Sequence, residues 1–599
     1  MSKLGYFSVV VAAVLAFNSC VNKQIPVTGR PVSRPITSFG GNPEFKQAYG
    51  AYVAGRVAHL RKDFNSAADY YMLALENSPE NPELVSRIYL ILTSQGRIAE
   101  AAKYAAESKK LGDKNNFTNM IIAVDQMKKG QYQDMIKTIN QVDGIIYKDF
   151  INPLLTSWAY AGAGDKAKAI AALAPVKKEP SFKALYNFHA GMIYDYFDDM
   201  PKAQQHYEVI VNEESLEMSF RALQVICNFY MRNGQKDKAV ALVNKYTDER
   251  ALSDMMRRLK HKLSQTNPKK AKKIINNANI GTSEALFSIA ATLRQGPAGV
   301  DLAHMFISLS IYENPNYDLA KLLLADILES REMYADANKE YDGIDNSSEA
   351  YYTAQLKKAN NLVAMRDYKA AELLMKSLTL DSKNYQLYLD LGDVLRMSGN
   401  QKEAIHYYEE AIDNLPQVEN QHWVLFYALG ISYEQNDDWK NAEKAFNRAL
   451  DLSQNHYMVL NYLGYSWIKR GQNVNEAFGM LVDAYNQAPH DGNIADSLGW
   501  AFYRLGMYDN AVVFLERASE LEPANAVISD HLGDAYRLAG RHNEGRFQWK
   551  HALTMKDPDN ELDKEAVKEK IQTGEVRNEP LPYDAAIIQD KIELITTED

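Results

Sequence analysis

The stretch YQLYLDLGDVLRMSGNQKEAIHYYEEAIDNLP, Tyr385 to Pro416, decides the fold. Apolar residues recur at helical spacing on both sides of Gly399-Asn400, so the stretch reads as two helices joined by a tight turn. Its marks are Tyr388, Leu391, Gly392 and Leu395, then Gly399, Ala404, Tyr408, Ala411 and Pro416. The same order returns at Leu429, Gly430, Tyr433, Trp439, Ala442, Phe446 and Ala449, and again at Leu463, Gly464, Trp467, Gly471 and Ala477. It continues through Leu498, Gly499, Phe502, Gly506, Tyr508, Ala511, Leu515, Ala518 and Pro523, and ends on Leu532, Gly533, Tyr536, Gly540, Trp549 and Ala552. The period is about 34 residues, the length of one helix-turn-helix unit. Small residues let paired helices approach closely, aromatic rings fill what remains, and Gly or Pro ends each helix.

This pattern resembles the tetratricopeptide repeat (TPR) superfamily. Upstream the same marks continue through Ala303 with Pro315, Ala337 with Tyr341, and Ala371 with Leu378. A more degenerate set precedes them: Gly55, Phe64, Ala67, Tyr71, Ala74 and Pro79; Gly191, Ala203 and Tyr207; Cys227, Tyr230, Gly234 and Ala239. The resemblance implies an all-α, right-handed superhelical TPR solenoid of about 14 helix-turn-helix repeats in two arrays. The expected division is a degenerate array over 47–250, a basic break over 251–282, a regular array over 283–558, and a capping helix with an extended tail over 559–599. The break carries Arg257, Arg258, Lys260, Lys262, Lys269, Lys270, Lys272 and Lys273 without a carboxylate from Met255 to Thr282, and is expected to be a solvated linker.

The N-terminus reads differently. Lys3 precedes an apolar run from Gly5 to Phe17, the core of a signal peptide spanning 1–20 and shorter than the roughly 20 residues that cross a bilayer as a helix. Phe17-Asn18-Ser19-Cys20 resembles a bacterial lipobox, although Phe17 and Asn18 depart from its usual residues. That resemblance implies acylation of Cys20 and, with Val21 following it, an outer membrane lipoprotein facing the periplasm. Residues 21–46, with Pro26, Pro31, Pro35 and Pro43, are expected to form a flexible tether. Only Cys20 and Cys227 occur, so no disulfide framework is expected.

The 599 residues carry a formal charge of −10, which argues against a nucleic-acid partner. No His/Cys spacing suits a metal, and Gly162-Ala163-Gly164-Asp165-Lys166-Ala167 lies between two helical patterns rather than after a strand, as a dinucleotide loop would. Catalytic, cofactor and metal sites are therefore expected to be absent. The positions that repeat packing leaves free lie on one face of each first helix at i, i+4 and i+7. They include Tyr427; Asn461 and Tyr465; Asp496, Trp500 and Tyr503; and Asp530, Asp534 and Arg537. These are the expected partner-binding residues, and three aspartates favour partners with basic side chains. The reading is a non-catalytic protein-protein interaction scaffold of the bacterial envelope that binds proteins or peptides on its concave surface and touches the membrane through its N-terminal lipid. The alternative is an accessory lipoprotein of a polysaccharide export or secretion complex, whose aromatic groove stacks on sugars.

Overall fold

The computed structural model describes residues 43–144, 147–213, 218–248, 254–294, 299–380, 384–557 and 562–595. The signal segment, Cys20 and most of the tether lie outside them. Among the described residues every regular element is helical, so the all-α expectation holds. The described residues form two compact units, divided between Asp367 and Tyr368.

The second unit shows how the repeat works. Its pairs are Tyr385–Met397 with Gln401–Asp413, Trp423–Gln435 with Trp439–Ser453, Tyr457–Arg470 with Val474–Gln487, Gly492–Arg504 with Tyr508–Leu521, and Ala526–Leu538 with His542–Ala552. Three of the five first helices start on Asn or Asp caps: Asn384 accepts from the Gln386 amide, Asp491 from Asn493 and Ile494, and Asn525 from Val527 and Ile528. Such caps satisfy amides that have no partner within the helix. A Cβ on Gly392 would sit 2.5 Å from the Tyr408 ring, and one on Gly533 would sit 2.5 Å from Trp549. Contact that close admits no side chain, which is why glycine stands there. Trp549 and Tyr408 are fully buried.

The first unit begins with six helix pairs, from Pro43–Leu60 with Phe64–Glu76 to Phe220–Arg232 with Lys236–Asp248. Gly162 to Asp165 forms the turn between the helices Asn152–Gly162 and Lys166–Ala172. The segment read as a solvated break is instead packed. Leu259 and Leu263 of the helix Asp254–Gln265 are buried, Lys262 pairs with Glu349 at 2.9 Å, Arg258 donates to the carbonyls of Asn346 and Ser348, and Lys273 pairs with Asp198. The compact units consequently part at 367/368, not within 251–282.

The following hairpin, Ala278–Arg294 with Val300–Glu313, lies across the first helices of the pairs before it. Phe306 meets Phe117 edge to face at 5.7 Å, and Trp158 covers Gly281 so tightly that a Cβ there would clash at 2.1 Å. Tyr312 donates to Asp125, and Lys128 to the Glu313 carbonyl. Glu284 is wholly buried, held by Arg221 at 3.0 and 3.1 Å and by the Tyr317 hydroxyl at 2.6 Å. The face that would otherwise line a groove in the first unit is thus filled by the chain itself.

Residues 559–599 hold more order than a cap and an extended tail. A helix runs over Lys564–Thr573 and another over Ala585–Glu593, whose Ile588 is buried. Between them the chain returns along the second unit: Asn578 donates to the Tyr503 carbonyl, and the Leu581 amide to that of Arg504.

Candidate partner-binding face

In the second unit the first helices present one continuous face, and the sequence-derived residues lie along it with different exposures. Tyr427 is half-buried against Phe446 (6.1 Å) and Tyr462 (5.8 Å), and burial pushes its phenol up to about 12. Tyr465 is likewise half-buried, its phenol pushed up to about 12 by burial and then by the Asp496 and Glu434 carboxylates. Asn461, beside it on the same helix, has a side-chain oxygen without a hydrogen-bond donor. All three residues are half-buried, and the Asn461 oxygen is itself buried.

Toward the C-terminal end the face is consumed by internal contacts. Trp500 is sandwiched, stacked on Tyr503 at 4.6 Å and on His531 at 4.1 Å. Tyr503 is 2% exposed. Asp496 is buried and meets the His531 Nδ1 at 2.9 Å. Burial works against a charged imidazole, yet Asp496, followed by Asp530 and Asp534, holds the His531 pKa above its usual value. Asp534, also buried, accepts from the Trp549 indole at 2.9 Å and from Lys570 at 2.8 Å, while Asp530 meets the same Lys570 ammonium at 2.9 Å through both oxygens. Burial and the neighbouring Asp530 raise the Asp534 carboxyl, and Lys570 opposes them. The Arg537 guanidinium lies beside Gly574.

Asp496, Trp500, Tyr503 and Asp534 are therefore joined to neighbouring repeats and, through Lys570, to the helix Lys564–Thr573, whereas Tyr427, Asn461 and Tyr465 are half-buried outside that cluster. Two members of the cluster escaped the sequence pattern. His531 follows Asp530 directly but falls outside the i, i+4, i+7 set, and Lys570 lies beyond the last repeat, where the period says nothing. Among the described residues no group of His, Cys, Asp and Glu could hold a metal ion.

A stack of helix pairs whose first helices share one face defines a helical-repeat fold. Residues 356–419 and 427–489, and separately 495–525, match family models described as "Tetratricopeptide repeat". These stretches of the chain are therefore similar to tetratricopeptide repeats. The chain is 29% identical over 220 residues to the TPR repeat-containing protein PA4667 of Pseudomonas aeruginosa, covering 36% of each chain. It is 31% identical over 84 residues to the general transcriptional corepressor trfA of Dictyostelium discoideum, covering 14% of this chain and 6% of that one. The chain thus spans about a third or less of the curated relatives it matches. Among solved structures, a tetratricopeptide repeat protein from Parabacteroides merdae has a TM-score of 0.36 at 14% identity, covering 43% of this chain and 97% of that one. Yeast Tom70 has a TM-score of 0.33 at 14% identity, covering 92% and 99%.

Proposed function

We propose that this chain is a non-catalytic adaptor of the bacterial envelope, anchored through acylated Cys20 and facing the periplasm, which captures an extended, basic segment of a protein partner on the face around Tyr427, Asn461 and Tyr465. The observation that carries the chemistry is the Asp530–Lys570–Asp534 clamp: one end of this face already holds a lysine ammonium, supplied by the chain itself, between two carboxylates. Rigid rings of Tyr427 and Tyr465 add contact area with little loss of side-chain entropy. The filled face of the first unit directs the partner to the second. Stacking on a sugar needs a free ring face, and Trp500 has both of its faces covered, which favours a peptide over a polysaccharide.

Photo-crosslinking in intact cells tests the reading. A crosslinker replacing Tyr465 is expected to trap a discrete protein, and one replacing Phe547, exposed on the second helix of its pair, is expected to trap none of it. The same adduct from both positions, or none from Tyr465, rejects the face.

A further inference from the structure

The helix Pro43–Leu60 opens the first unit. Its inner side packs closely: Ala51, Gly55 and Ala58 are buried, and a Cβ on Gly55 would meet the Tyr71 ring at 2.8 Å. Its outer side is unlike the end of a repeat stack, which solubility ordinarily keeps polar. Tyr49 is 66% exposed, Val53 40%, Val57 42% and Leu60 77%. Steps of four, four and three residues place these side chains on one stripe. Arg56 is exposed within that stripe and Arg61 at its end, while Lys62 donates to the Arg331 carbonyl, and the chain has no carboxylate between Glu44 and Asp63.

We propose that this stripe is a docking surface for an anionic lipid bilayer: the helix lies on the membrane plane with Tyr49, Val53, Val57 and Leu60 at the headgroup boundary and Arg56 and Arg61 against lipid phosphates. An apolar face with cationic neighbours is the arrangement that partitions to interfaces, and each basic side chain adds attraction to anionic lipid. A second copy of the chain fits less well, because a two-fold contact along the stripe would bring Arg56 toward its own symmetry mate. The proposal rests on Cys20 being acylated. About 22 residues then separate the lipid from the helix, a separation in sequence that keeps the stripe close to the bilayer.

The test uses the full chain carrying Cys20→Ala, which removes the acyl group from the measurement. It is sedimented with vesicles of phosphatidylethanolamine and phosphatidylglycerol, and in parallel with phosphatidylcholine. Binding to the anionic vesicles is expected to weaken with salt, to fall about tenfold in Val53→Glu/Leu60→Glu, and to fall less in Arg56→Gln. Circular dichroism of the variants is expected to match the parent, since all three side chains are exposed. Equal binding by the double variant would assign the attraction to the apolar run at 5–17 and overturn the proposal, as would no binding at all. A concentration-dependent dimer abolished by Leu60→Glu would overturn it in favour of self-association. Palmitate labelling of the unsubstituted chain reads acylation separately, so the anchor and the stripe fail independently.

Discussion

His531 sits where three carboxylates converge, stacked beneath Trp500 and hydrogen-bonded to Asp496, with Asp530 and Asp534 on its own helix. Its pKa is raised on folding, so its contribution to stability is complete below the unfolded value near 6.5 and is lost as pH rises through the higher folded value. Asp534, also raised, acts in the same direction. Thermal melts of the wild type and His531→Gln are therefore expected to differ most at mildly acidic pH and to converge as the pH becomes alkaline. A gap that widens with pH would contradict the charged pair. This cluster was half legible in the sequence. Asp496 and Asp534 stood at the free positions of the repeat, but their partners did not, because a period of about 34 residues describes helix packing and carries no information about a lysine beyond the last repeat.

At the scale of elements, the inner hairpin Ala278–Arg294 with Val300–Glu313 sets the character of the first unit. Glu313 is buried at its end, where one oxygen accepts from Asn279 and the other has no donor; Asp125, Lys128 and Tyr312 surround it. Burial pushes its carboxyl up to about 8, against the opposing pull of Asn279 and Lys128. A carboxyl with a raised folded pKa is at its most stabilising below its unfolded value of 4.5 and loses that contribution as pH rises through about 8. Glu313→Gln is accordingly expected to leave stability near pH 4 little changed and to raise it relative to wild type at pH 8 to 9, read by urea midpoints. An unchanged difference across that range would mean that Glu313 does not titrate in this interval. The hairpin itself was readable: Ala303 and Pro315 marked a repeat there. Its seat on the first helices of earlier pairs was not, since Phe117 with Phe306 and Arg221 with Glu284 are contacts between residues far apart in sequence, whereas the repeat pattern reports neighbours only. The basic segment misled for a related reason. Its cations read as solvated, yet Arg258, Lys262 and Lys273 each find a partner brought close by the fold.

For the whole molecule, the division of labour follows from which repeat face is occupied. The first unit spends its face on its own hairpin, the second leaves Tyr427, Asn461 and Tyr465 half-buried and outside the Asp530–Lys570–Asp534 cluster, and the N-terminal segment carries the proposed anchor. Labelled palmitate is expected to enter the wild-type chain and to be lost on Cys20→Ala; incorporation that survives the substitution removes the anchor from that residue. Capture of a protein by the second unit is read most directly by affinity recovery from detergent-solubilised envelopes followed by mass spectrometry. Wild type is compared with Tyr427→Ala/Tyr465→Ala and with a Phe547→Ala control of matched helicity. One partner is expected with the wild type and the control and depleted about tenfold or more with the double variant, whereas equal recovery from all three would rule out capture on this face.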